Sequence, residues 1–198
     1  GQATVGNLNF QERDNTDYLI YEGSTDPVYN GSLGNTFNYK GFHLNVFLTY
    51  AFGNVVRLDP AFSAKYNDLT SMTHDFKNRW MQPGDENVTN VPGVVSRYEY
   101  EQNRTLLSTA YNAYNYTSVR TAKGDFIRLK EISLAYDFPH RWLENSPVNN
   151  ISLKLQATNL MLLYADKKLN GQDPEFMNAG GVASPMPKQF TLTLKLGL

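Results

Sequence analysis

Apolar and polar positions alternate along five stretches of this chain. In residues 29–39, Leu33, Phe37 and Tyr39 share one face, and Ser32, Gly34, Thr36 and Asn38 share the other. In 42–52, Phe42, Leu44, Val46, Leu48, Tyr50 and Phe52 oppose His43, Asn45 and Thr49. In 125–138, Ile132, Leu134, Tyr136 and Phe138 oppose Ser133, Ala135 and Asp137. Near 150–164, Ile151, Leu153, Leu155 and Ala157 oppose Ser152, Lys154, Gln156 and Thr158. In 189–198, Phe190, Leu192, Leu194, Leu196 and Leu198 oppose Gln189, Thr191, Thr193 and Lys195. A period of two predicts strands with one apolar face. The third stretch departs from its own period. Counted by twos, Arg128 and Lys130 fall on the side of Leu134, and Ile127 and Leu129 on the other.

Several of these stretches reach ten residues. Soluble strands usually run about 5–6 residues, whereas a tilted membrane strand needs about 9–11. The connections alternate in length: short at 40–41 and 139–149, long at 54–123 and 165–187. Lys40-Gly41 reads as a tight hairpin turn. Short turns on one side and long loops on the other suit an outer-membrane barrel. A soluble β-sandwich also alternates along each strand, so both architectures fit the periodicity. Within the long excursion, 59–80 reads as a helix. Asp59 caps it, Pro60 opens it, and Phe62, Tyr66, Leu69, Thr73, Phe76 and Trp80 form its stripe. Pro83-Gly84 stops it.

Composition narrows the function classes. The 198 residues carry a net charge of -1, and the basic residues form no cluster, which sets nucleic acid aside. With no cysteine there is neither a disulfide scaffold nor a thiolate metal site. The 13 Tyr and 11 Phe favour strands. Mean hydropathy is -0.47, a value that alternation lowers by averaging two unlike faces. No run of 18 apolar residues predicts a membrane-spanning helix, and no signal peptide is read.

Candidate chemistry is sparse. His43, His74 and His140 lie on different elements, none at metal-ligand spacing with another. Asp166, Asp173 and Glu175 share a loop with Gly171 but lack the dense oxygen spacing of a calcium loop. No nucleophile triad or phosphate loop is present. The expectation is a protein that is not an enzyme and uses no cofactor or metal. In 111–120, Tyr111, Tyr114 and Tyr116 interleave with Asn112 and Asn115. Such polar-aromatic loops suit glycan or peptide contact, or ordinary loop packing.

Five segments carry a family resemblance. "DFIRLKEISLAYDFP" resembles a segment near the end of SusC/RagA-like TonB-linked outer-membrane proteins. "ATNLMLLY" with "GQDPEF", and "SPMPKQFTLTLKLGL", resemble the strand end, loop and closing strand that follow it there. Upstream, "YNGSLGNTFNYKGFHLNVFLTYAFGN" resembles a hairpin of that family and "RWMQPGD" one of its loops. The resemblance implies an all-β, antiparallel fold: about five long strands from the C-terminal part of a transmembrane barrel of about 22, with one helix in a long loop. It divides the chain into an N-terminal loop segment, 1–28, and a barrel portion, 29–198, with the helix-bearing loop at 54–123. It implies a place in the outer membrane and a role in glycan or peptide uptake. Its partners would be a SusD-like lipoprotein as lid, TonB (through parts not in this stretch) and membrane lipid.

On that reading Leu44, Val46, Leu48, Leu134, Tyr136, Leu153, Leu155, Leu192 and Leu194 face lipid. Arg128 and Lys130 share their side, with the charges reaching toward the outer leaflet. Ile127 and Leu129 meet a loop or plug within the barrel. Five strands cannot close a large barrel. The isolated chain is expected to be a twisted sheet, a small closed barrel or an oligomer, covering its stripe with the 59–80 helix or a second copy. The alternative is a soluble secreted β-domain binding glycans through its Tyr/Asn-rich loops. That alternative requires Leu44, Leu134, Leu153 and Leu194 to meet inside one closed interior.

Overall fold

Five long strands form one antiparallel sheet in the computed structural model, which describes residues 17–66, 72–144, 147–177 and 185–197. They are β1 (Tyr29–Tyr39), β2 (Phe42–Phe52), β5 (Phe126–Asp137), β6 (Asn150–Ala165) and β7 (Gln189–Gly197), side by side in the order β1-β2-β5-β6-β7. Two short strands, β3 (Val55–Arg57) and β4 (Thr121–Lys123), pair with each other. Two helices, α1 (Arg97–Gln102) and α2 (Arg104–Asn115), lie between β3 and β4. The five predicted strands are therefore present at their predicted places. Leu198, expected at the end of the last, lies outside the described residues.

The chain divides into two compact units. One comprises Gly1–Glu22 with Arg57–Ala122, the other Gly23–Val56 with Lys123–Leu198. The second holds the sheet. Its first hairpin turns at Lys40 and Gly41, with φ of 46° and 85°. Both central residues are left-handed, as a two-residue turn between twisted strands requires. A Cβ on Gly41 would lie 2.9 Å from the Asp137 carbonyl oxygen, so this turn has room for glycine alone.

Register decides the faces, because residues paired across an antiparallel ladder share a face. Leu44 pairs with Phe37 and Leu134, Leu134 with Leu155, and Leu155 with Leu192. Leu153 pairs with Tyr136 and Leu194. One apolar face thus crosses all five strands. The opposite face carries Asn45, Ser133, Gln156 and Thr191 in a second row.

The irregular third strand is resolved by bulges. Leu129 pairs with Leu48 and Glu131 with Phe47, which leaves Lys130 as an extra residue. The same step recurs against β6, where Leu129 meets Met161 and Glu131 meets Thr158. There Asn159 takes a left-handed φ of 54°. One extra residue reverses the alternation beyond it. Ile127 and Leu129 therefore join the face of Leu134, paired with Tyr50 and Leu48. Arg128 moves to the opposite face, beside Thr49. The expectations that Arg128 shares the apolar side and that Ile127 and Leu129 leave it are both corrected by the bulge.

The other unit holds the helices, and not where periodicity places one. Residues 61–66 are irregular, and His74–Asn78 forms one short 3-10 turn. Leu69 of the expected stripe lies outside the described residues. The reason is at Phe62. Its N–H donates to Asn115 Oδ1 at 3.2 Å, and its carbonyl accepts from Asn115 Nδ2 at 2.7 Å. The carbonyl that would accept from the next helical turn is thus engaged elsewhere. Helix forms instead from residue 97. Ser96 caps it by accepting from the Glu99 N–H at 3.1 Å. Ser96-x-x-Glu99 has the residue types of a capping box, a signal the apolar stripe at 59–80 overshadowed. The stripe residues still form a core. Phe62, Ala64 and Tyr111 are buried together, with Phe76, Val91, Leu107 and Tyr114 packed on them.

Candidate functional site

The first functional feature is the apolar sheet face. Leu134, Leu155, Leu192 and Leu194 expose 43%, 55%, 65% and 58% of their surface. Leu44, Val46, Leu48, Tyr136 and Leu153, the other residues expected on this face, are half-buried against neighbouring strands. The closed interior that a soluble domain needs is not formed by these residues. A contiguous exposed apolar surface of this kind marks contact with another apolar phase or partner. Aromatic side chains gather at both ends of it. Beside the 40–41 turn, Phe42 and Tyr136 lie 4.4 Å apart by ring centroids, Tyr136 and Phe138 5.1 Å, and Phe138 and Trp142 6.0 Å. At the far end, Tyr50 and Phe52 lie 5.6 Å apart. An apolar band between two aromatic rims resembles the face that a membrane barrel turns to lipid. Strands of 11 residues, rising ~3.3 Å each and tilted about 45°, give a band of roughly 25 Å. No helix of the described residues is long and apolar enough to cross a membrane.

The second feature is the ion-paired opposite face. Arg128 is buried, and its Nη2 donates to Asp173 Oδ1 at 2.6 Å. Glu175 adds a carboxylate oxygen at 3.2 Å. The guanidinium also lies 5.6 Å from the Phe126 ring centroid. Asp173 caps its own turn by accepting from the Glu175 N–H. Arg128 therefore fastens the "GQDPEF" loop to the middle of the sheet unit. Asp166, the third acid of that loop, accepts from the Lys123 and Lys168 N–H groups at 2.8 and 2.9 Å. Partial burial opposes ionisation of Asp166, but those bonds outweigh it and hold the carboxyl below the usual range. Asp173 and Glu175 thus share Arg128, while Asp166 serves a separate structural contact. Among the described residues no group of three or more His, Asp or Glu could hold a metal. Nearer the turn, His43 bonds Asn38 Oδ1 at 2.6 Å and Asp137 Oδ2 at 3.0 Å, which ties β1 to β5 across β2.

The Tyr/Asn group lies on α2 and just beyond it. Tyr111 is buried and donates to the Gly93 carbonyl. Desolvation there pushes its phenol up to about 12. Tyr114 packs edge-on against Phe62, with centroids 5.2 Å apart, and Asn115 brackets the Phe62 backbone. Asn112 and Tyr116 remain exposed, and Arg57 sits 5.5 Å from the Tyr116 ring centroid. The group is thus divided between packing and surface. In "RWMQPGD" and the next residue, Asp85 accepts from the Met81 and Gln82 N–H groups, and Glu86 from Trp80 Nε1 and the Gly84 N–H. Chiefly through the Trp80 bond, Glu86 sits below the ordinary carboxylate range.

These features agree with comparisons to known proteins. The chain is 25% identical over 192 residues to TonB-dependent receptor P39 of Formosa agariphila, covering 91% of this chain and 17% of that receptor. It resembles part of a TonB-dependent outer-membrane transporter. Its fold matches the RagAB peptide importer in the open-open state with a TM-score of 0.63 and 20% identity, over 90% of this chain and 18% of the importer chain. A second structure, of the RagAB peptide transporter, matches with a TM-score of 0.61 and 21% identity, over 89% and 18%. No family model matches. Sequence and structure both relate the chain to SusC/RagA-type TonB-dependent outer-membrane transporters, and it spans less than a fifth of the length of these relatives. Outer-membrane placement accords with the exposed apolar face and its aromatic rims. The relatives are a receptor and importers, in keeping with transport rather than catalysis.

Proposed function

We propose that this chain is the C-terminal wall and outer loops of an outer-membrane nutrient importer. The importer takes up glycans or peptides, TonB supplies the energy, and a SusD-like lipoprotein serves as lid. The observation that carries this reading is the exposed apolar face shared by β1, β2, β5, β6 and β7, ended by aromatic clusters. An open sheet edge is not tolerated in lipid. On this reading the edges at β1 and β7 pair with strands beyond this sequence, and the bulged middle keeps Arg128 on the lumen side. Of the Tyr/Asn group, the exposed Asn112 and Tyr116 are the members available for substrate.

The test is fractionation of the natural protein that carries this chain. It should sediment with the outer membrane, require detergent for release, and migrate differently before and after boiling. A clean monomer recovered without detergent would sink the reading.

A further inference from the structure

The helical unit contains a cavity of about 540 Å³ that the packing just described does not use. Among the described residues that line it are three cations, Lys65, Arg97 and Arg104, and one carboxylate, Glu101. Tyr66, Tyr100 and Val95 supply ring and apolar surface. Arg97 Nε donates to Glu101 at 2.8 Å, which engages the one acid. Lys65 and Arg104 remain as an excess of two positive charges. Arg104 lies 5.9 Å from the Tyr100 ring centroid, so a charge and a ring face stand together. The proximity of all three cations is also visible at Glu101. Its carboxyl is held below the usual range by Arg97 first, with Lys65 and Arg104 adding to the effect.

We propose that this cavity binds the acidic group of an oligosaccharide, a uronate or a sulfate, with the adjoining sugar on the tyrosine rings. Charge selects the anion, because among the described lining residues three cations stand against one acid. Arg is suited to it, since its fork of donors matches a planar carboxylate or a sulfate. The walls argue against a peptide held by strand addition, which needs free backbone groups along an edge. Here the Tyr100 N–H is bonded to the Ser96 carbonyl and the Asn103 N–H to that of Glu99. Recognition is left to side chains, which suits a ligand read by charge and ring stacking. The inference rests on the importer reading, in which these loops meet substrate.

The experiment titrates the natural protein, purified in detergent, with an oligogalacturonate, a heparin-derived oligosaccharide, a neutral cello-oligosaccharide and a glutamate-rich peptide. Sodium sulfate is the competitor. An acidic oligosaccharide should bind, and weaken as salt rises, while the neutral one should not. The double variant K65Q/R104Q should lose about tenfold or more in affinity, and Tyr100→Ala should weaken binding where Tyr100→Phe does not. Comparing the two acidic sugars separates uronate from sulfate. Equal binding of the neutral sugar, preference for the peptide, full displacement by equimolar sulfate, or an unchanged double variant would each overturn the proposal. Membrane-inserted protein that binds no acidic sugar refutes this cavity role alone. Absence from the membrane refutes the importer reading instead.

Discussion

Arg128 is a cation placed where water is scarce, and its neighbours follow from that. Its side chain and that of Asp173 are only 7% and 8% exposed. A lone guanidinium there would carry a desolvation cost that a carboxylate at hydrogen-bond distance offsets. Asp173→Ala is expected to destabilise by about 3–5 kcal/mol, because it leaves the buried charge to the partly exposed Glu175 carboxylate. Glu175→Gln should change stability by less than about 1 kcal/mol, since Glu175 is partly open to solvent. Chemical unfolding in detergent, followed by tryptophan fluorescence, compares the two. Equal effects would mean that Glu175 and Asp173 share the neutralisation of the arginine evenly. Tyr111 gives stability a dependence on pH. Its phenol ordinarily ionises near 10.0 and is pushed to about 12 by burial in the fold. The raised value means its stabilisation is complete below pH 10 and fades as pH climbs toward 12. Tyr111→Phe should flatten that alkaline loss of stability, and phenolate absorbance should show one fewer late-titrating tyrosine.

Elements in this chain follow local signals unless a side chain intervenes. The long strands were legible because period two persists over many residues, and the 40–41 turn because only a left-handed pair closes so short a hairpin. The helix was misplaced for a specific reason. Phe62, Tyr66, Phe76 and Trp80 have helical spacing, yet Asn115, more than fifty residues later, takes the Phe62 backbone groups. The capping serine and glutamate at 96 and 99 were a better guide than the stripe. In β5 the pattern held a second message. The break at Arg128 and Lys130 looked like a basic patch on an apolar face, but it marks an inserted residue. A bulge is the cheaper solution, since it keeps the charge off that face and the leucines on it.

At the scale of the molecule, the sheet carries two unlike faces, and substitutions should respond to the face rather than to the strand. Leu192 and Thr193 are adjacent on β7 and point to opposite sides. Leu192→Arg near mid-strand should cost about 2–4 kcal/mol and reduce assembly in the outer membrane. Thr193→Glu should leave assembly close to normal, because that side carries Lys154, its register partner, as an opposite charge. The amount of heat-modifiable protein in outer-membrane fractions measures both. Equal loss in the two variants would show that the apolar face is not turned to lipid.

The sequence by itself determined the five strands, their antiparallel order along the chain, the apolar rows and the short turn. Each depends on residues near one another, where backbone geometry imposes the period. Tertiary structure alone decided which face Arg128 takes, which acids meet it, where the helix forms and which tyrosines are buried. Those outcomes depend on ladder register and on partners distant in sequence, such as Asp173 for Arg128 and Asn115 for Phe62. Alternation along one strand records that two faces differ, but a single inserted residue exchanges them, and only the neighbouring strands fix where that exchange occurs.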